Sequence, residues 1–353
     1  VPGFDTISDQ QQPIRLLKAF LQKGTVPHAL LFSGIDGVGK RTAALYFAMA
    51  CLCQGQGQRQ PLDADPETGD DRQGEGSEVP CTRCRACRRI ESGNHPDVIH
   101  IQPSGAFIRI GQIRTLREIL ALKPFEEGLR VVLISDAQAM NAEASNALLK
   151  VLEEPPERTI LVLTARQTSD LLPTIVSRCQ QVRFNPVSTE SITGLLMAQD
   201  HVTPQAAAIV AALAHGSVGK ARKMVKTDWI GKRRWLLSAL GFEPWGDAAR
   251  PSLRQGMAFA QKLAQDKETL EDSLEVIKTW LRDVLVFTHA PRRVINQDIL
   301  EQIGAAAGRM PADVVINQIG AIQMAQRAIA ANANLRLTLE VMAMRLTGQH
   351  NGG

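Results

Sequence analysis

The segment Gly34-Ile35-Asp36-Gly37-Val38-Gly39-Lys40 constrains the fold of this chain more than any other. It is entered from the apolar run His28-Ala29-Leu30-Leu31-Phe32 and left through the alanine-rich stretch Thr42 to Cys51, so it reads as strand, loop, helix. Such a turn surrounds phosphates with backbone N–H groups, adds the field of a helix N-terminus and supplies lysine as a point charge. Gly34, Gly37, Gly39 and Lys40 are therefore the candidate nucleotide contacts. The residue after Lys40 is Arg41, where a hydrolytic loop carries a Mg²⁺-binding hydroxyl; Thr42 is the nearest hydroxyl and a further candidate contact. Metal-assisted phosphoryl transfer also needs an acidic partner, and the apolar run from Arg130 to Ile134 ends in Ser135-Asp136 in place of an acidic pair. The expectation is ATP held without hydrolysis, unless Thr42 and Asp136 replace the lost groups.

Five short β-rich runs alternate with helical stretches: His28 to Ser33, Asp97 to Ile101, Arg130 to Ser135, Thr159 to Thr164 and Gln181 to Phe184. This alternation predicts an α/β domain with a parallel five-stranded sheet covered by helices on both faces. The continuous apolar runs Val131 to Ile134 and Ile160 to Leu163 mark its central strands. After Asn185-Pro186 the strand signals stop. Three domains are expected: 1–185 with the sheet, 186–227 as a small helical unit turning at His215-Gly216-Ser217, and 228–353 as an all-α domain broken at Pro244, Pro251, Pro291 and Pro311. Between the first two strands, Gly55 to Pro80 is rich in Gly, Gln and Asp and reads as an acidic loop with no core of its own.

Cys81-x2-Cys84-x2-Cys87 presents three thiolates at the spacing of a tetrahedral Zn²⁺ site. Cys53 is the expected fourth ligand, returning across the acidic loop; Cys51 competes with it, and His95 is a further candidate. Four thiolates close the coordination sphere, so the expected metal is structural and the module spans about 53–97. The alternative is three unpaired thiols on a surface helix.

The net charge of +4 permits contact with nucleic acid without arguing for it. Arg109, Arg114 and Arg117 surround Ile110 to Ile113, where a helix begins, so Arg109 and Arg114 are candidate phosphate contacts, against the plainer reading of a solvated basic face. A second basic cluster, Lys220, Arg222, Lys223, Lys226, Lys232, Arg233 and Arg234, has the look of an ordinary helix surface. Trp229, Trp235, Trp280 and Phe287 fall at helical intervals and read as packing residues. No apolar run approaches the length of a membrane-spanning helix, and Val1 to Asp5 lacks a secretory signature; a cytoplasmic protein with no membrane partner is expected.

The run Ala142-Glu143-Ala144-Ser145-Asn146-Ala147-Leu148-Leu149-Lys150-Val151-Leu152-Glu153-Glu154-Pro155-Pro156, the triplet Ser177-Arg178-Cys179, the cysteine spacing and the phosphate loop together resemble bacterial clamp-loader subunits of the AAA+ class, above all the delta-prime subunits of DNA polymerase III. The resemblance extends from Phe4 to about Leu346. It implies an AAA+ domain, a helical lid and a C-terminal collar that holds a hetero-pentamer together with gamma/tau motor subunits and a delta subunit. The implied partners are the sliding clamp and primer-template DNA. Taken alone, Arg178 is a surface charge or a local salt bridge; the resemblance makes it a catalytic arginine acting in trans on a neighbour's ATP. Arg166 stands where motor subunits carry a small polar sensor, and Gly219 where they carry a second-sensor arginine. These departures imply a stator in place of a motor. The rival expectations are an active gamma/tau-like ATPase and a zinc-bearing DNA-binding repair protein on a related fold.

Overall fold

The computed structural model describes residues 3–55, 80–126, 128–242 and 252–347. The acidic loop expected over Gly55 to Pro80 falls almost wholly outside them. The described chain groups into two compact units, one made of residues up to Ile192 together with Gly216–Lys220, the other of Thr193–His215 and the chain from Ala221 onward.

The first unit is a three-layer α/β structure. Its strands are β1 (Ala29–Ser33), β2 (Val98–Ile101), β3 (Arg130–Ile134), β4 (Thr159–Ala165) and β5 (Gln180–Arg183), each within one residue of the expected run at both ends. All pairs are parallel, in the order β2-β3-β4-β1-β5. Every residue of β1, β3 and β4 is buried, which is why each carries a continuous apolar run without alternation, with polar residues only at or next to its ends (Ser33, Arg130, Thr159 and Thr164). The edge strands are polar where they meet solvent: His100 on β2, and Gln180, Gln181 and Arg183 on β5, are exposed.

The helices of this unit are α1 (Gln11–Lys23), α2 (Lys40–Leu52), α3 (Arg85–Glu91), α4 (Ile110–Leu120), α5 (Ala142–Glu153) and the single turn α6 (Pro173–Val176). Phe32, Val38, Ala43 and Phe47 belong to the core on the α2 side of the sheet, and Ile113, Leu116, Leu148 and Leu152 to the core under α4 and α5. In α5, Asn141 caps the N-terminus by accepting from the Ala144 N–H at 2.9 Å, and Leu148, Val151 and Leu152 turn the apolar stripe inward. Register sets Ser33 beside Ala165 and Ile134 beside Leu163, so the C-terminal ends of β1, β3 and β4 converge at one edge of the sheet. That is where ligands bind in open parallel sheets.

Two further helices, α7 (Thr189–Gln199) and α9 (Val218–Lys226), begin in residues of the first unit and end in residues of the second, and α8 (Pro204–Leu213) belongs to the second. The second unit continues with α10 (Trp229–Ala239), α11 (Leu253–Gln265), α12 (Leu270–Phe287), α13 (Leu300–Ala307), α14 (Ala312–Ala330) and α15 (Leu335–Leu346). Trp280 is fully buried and stacks on Phe242 with centroids 4.5 Å apart, and Trp229 is buried, so both are packing residues as their spacing suggests. The completely buried Asp283 accepts from the Ile295 and Asn296 backbone N–H groups and from Asn296 Nδ2, which pins the turn after α12. Much of the second basic cluster is spent on local pairs: Arg222 with Asp200, Lys223 with Asp272, Lys232 with Asp266 and the buried Arg233 with Asp298. No helix among the described residues is long and apolar enough to cross a membrane.

Candidate functional site

The phosphate loop follows β1 directly. The Gly34 N–H donates to the Ala165 and Arg166 carbonyls at 3.2 and 3.1 Å, which ties the start of the loop to the end of β4. Gly34 has φ +151°, and a Cβ there would stand 2.6 Å from the Phe184 carbonyl oxygen, so no larger residue fits. Lys40, the first residue of α2, is only 6% exposed. Its Nζ donates to the Gly34 carbonyl and, at 3.0 Å, to the Ile35 carbonyl, and lies 3.6 Å from Asp36 Oδ1. Burial lowers its pKa, opposed by the Asp36 charge. Arg41 and Thr42, the residues that follow, are both exposed.

The groups facing the loop differ from those of a hydrolytic site. Ser135 is buried at the end of β3, and Asp136, in the left-handed region at φ 54°, donates its backbone N–H to Thr164 Oγ1 at 3.1 Å. Beyond β4, Arg166 Nε is 2.7 Å from Asp36 Oδ2. The segment Gly216–Lys220 packs on the loop: the Gly219 N–H donates to the Gly37 carbonyl at 3.0 Å, and a Cβ on Gly219 would stand 2.9 Å from Gly37 Cα. Two glycines meet here, so position 219 has no room for a side chain.

Cys53, at the C-cap of α2, comes together with Cys81, Cys84 and Cys87, their sulfurs all within 4.8 Å of one another. Cys84 caps α3, accepting from the Cys87 N–H, and Cys81 Sγ accepts from the Cys84 N–H, both at 3.4 Å. Burial raises the Cys81 thiol, but N–H groups of Cys84 and Arg83 and the neighbouring thiols outweigh it and hold the group at about 6. Burial raises the Cys53 and Cys87 thiols. Four sulfurs at these separations suit a tetrahedral thiolate-binding metal such as zinc, whose bonds to sulfur are about 2.3 Å. Cys51 stays outside the cluster, its thiol raised to about 12 by burial. His95 is likewise outside: it is buried, accepts from the Asp97 N–H at 3.2 Å and faces Glu126 at 3.7 Å. Arg89 on α3 reaches the same Glu126 at 2.8 Å, and the buried Asp97 takes the N–H groups of Phe125 and Glu126, which fastens the cysteine module to the sheet.

Arg178 follows α6 by two residues and is half-buried. Its Nη1 donates to the Thr174 carbonyl at 3.0 Å and its Nη2 meets Glu153 Oε1 at 2.8 Å. Cys179 is buried, its thiol raised to about 11 by burial. Arg109 and Arg114 are exposed at the start of α4, where Gln112 accepts from the Arg109 N–H at 3.0 Å. Arg178, the loop and the cysteine cluster are thus three separate places, not one active centre. Asp36 is the residue that motif reading passes over; its one sequence signal is an acid four positions before the loop lysine.

Residues 9–188 match the family described as DNA polymerase III, delta subunit, and residues 249–348 match its C-terminal family. The chain is 32% identical over 344 residues to DNA polymerase III subunit delta-prime of Bacillus subtilis, covering 96% of each. It is 29% identical to the Escherichia coli delta-prime subunit, covering 80% of this chain and 77% of the relative. DNA polymerase III subunit tau of Bacillus subtilis is 32% identical over 54% of this chain and 30% of its own length. Among solved structures, a gamma subunit-related protein of Thermotoga maritima aligns over 93% of this chain and 98% of its own at 18% identity, with a TM-score of 0.42.

Proposed function

This chain belongs to the delta-prime family of DNA polymerase III subunits, and we propose that it serves there as the stator of the clamp loader. In this role it supports ATP-dependent loading of the sliding clamp onto primer-template DNA, hydrolyses no ATP itself, and lends Arg178 in trans to the nucleotide of an adjacent gamma/tau motor subunit. Its partners are the motor subunits and a delta subunit in a hetero-pentamer. Residues 186–227 act as the lid of the AAA+ domain and 228–353 as the collar that assembles the ring. The setting is cytoplasmic.

The observation that carries the reading is the content of the chain's own nucleotide site. Turnover needs a hydroxyl, an acidic metal partner and a water-positioning group; here Arg41 and Ser135 stand in the first two places, Asp136 is one methylene short of the Glu expected for the third, and the close-packed Gly219 stands where the resemblance expects a second-sensor arginine. Gly34, Gly37, Gly39, Lys40 and Thr42 remain a frame able to hold ATP without cleaving it. Zn²⁺ on Cys53, Cys81, Cys84 and Cys87 has a structural role, since four thiolates leave no open position. Arg109 and Arg114 offer the start of α4 to the DNA backbone.

The test is DNA- and clamp-stimulated ATPase of the reconstituted loader, wild type against Arg178→Ala, with pentamer assembly checked in both. An arginine finger is worth on the order of 10³ at its site. Such a loss with assembly intact is the expected result, and an unchanged rate would remove Arg178 from the mechanism. Turnover by the isolated chain would favour the gamma/tau-like motor instead.

A further inference from the structure

The two cations that face the phosphate loop already share an anion. Asp36 offers one carboxylate oxygen to each: Oδ1 lies 3.6 Å from Lys40 Nζ and Oδ2 lies 2.7 Å from Arg166 Nε. Lys40 is otherwise directed back onto the Gly34 and Ile35 carbonyls, and its charge is satisfied within the loop. A carboxylate bridging two cations makes the kind of contact that a nucleotide phosphate would need from the same two groups. Lys40 has little solvent around it to serve a second anion, being 6% exposed, whereas Asp36 and Arg166 are half open and can separate.

We propose that Asp36 is an affinity-setting residue of this loop, an internal anion that competes with the phosphates of a nucleoside di- or triphosphate for Lys40 and Arg166. The proposal rests on the reading of Gly34 to Lys40 as a nucleotide-holding loop. Binding then requires the Asp36 carboxylate to leave both cations, and the displaced charge stays close to the incoming phosphates and repels them. The Arg166 substitution beyond β4 acquires a role by the same geometry: it holds Asp36 across the loop, which a small polar residue there would not.

The experiment is calorimetric titration of the full chain with ADP and with ATP in Mg²⁺ buffer, comparing wild type with Asp36→Asn, which keeps the shape and removes the charge. Losing two competing ion pairs and one like charge should tighten both nucleotides by about tenfold at low salt. The gap should narrow as salt is raised, because the pair is half exposed. Equal or weaker binding by Asp36→Asn, with wild type binding measurably, would overturn the competition and leave the nucleotide-holding reading standing. No binding by either protein up to millimolar nucleotide would overturn both.

Discussion

Arg178 Nη2 lies 2.8 Å from Glu153 Oε1, so within a single chain the arginine at the end of α6 is paired with the last residue of α5. The Glu153 side chain is 48% exposed and that of Arg178 is 36% exposed. A pair this open is worth about 0–1 kcal/mol, too little to prevent the guanidinium from swinging to a phosphate on a neighbouring subunit. Glu153→Ala should therefore leave loader ATPase within about fivefold of wild type. Arg178→Lys should fare nearly as badly as Arg178→Ala, because an ammonium cannot reproduce the planar fork. Steady-state ATPase of the assembled complex checks both; full rescue by lysine would mean that only a positive charge is required.

The start of α4 leads to a different measurement. If Arg114 contacts a backbone phosphate, Arg114→Ala should weaken binding of the loader to primed DNA by a similar factor across DNA sequences. It should also reduce the slope of log K against log salt by about one unit. Fluorescence anisotropy at several salt concentrations gives the slope, and an unchanged slope would return Arg114 to the solvated face of its helix.

The cysteine cluster separates two residues that lie two positions apart on one helix. Cys53→Ser should abolish bound zinc, while Cys51→Ser should leave one zinc per chain, because only Cys53 reaches the other three sulfurs. Metal analysis of the purified variants decides this. Chelation of the wild type should lower its thermal midpoint, since binding energy at a closed thiolate site contributes to folding. Retention of zinc by Cys53→Ser would move the fourth ligand elsewhere.

The sheet was legible in the sequence because its three central strands are buried on both faces and leave continuous apolar runs, as at Val131 to Ile134. Spacing alone also found Cys81, Cys84 and Cys87: Cys84 caps α3 and meets Cys87 in its first turn, and Cys81 joins them from the bend that precedes the helix. The return of Cys53, at the end of α2, to that cluster is a tertiary contact, which spacing does not encode. Least legible was the inner side of the phosphate loop. The Asp36–Arg166 pair joins residues 130 positions apart and exists only because β1 and β4 are neighbours in register, Ser33 beside Ala165. The contact of Gly37 with Gly219 has the same origin: Gly37 is legible as a phosphate-loop glycine and its φ of +77° favours glycine by itself, but nothing in the sequence sets Gly219 against it.

That meeting yields a test of whether the site can be returned to motor form. In a motor-like site an arginine at 219 would reach the nucleotide, but here its Cβ would start 2.9 Å from Gly37 Cα, against backbone that cannot yield as a side-chain tip can. Gly219→Arg should therefore destabilise the first unit by about 1–3 kcal/mol, the usual range for overpacking, and not add a phosphate contact. Urea denaturation reads the stability and nucleotide titration reads the contact. A variant that keeps wild-type stability and binds ATP more tightly would show that Gly216–Lys220 can move off the loop, and that Gly219 is no barrier to a motor-like site.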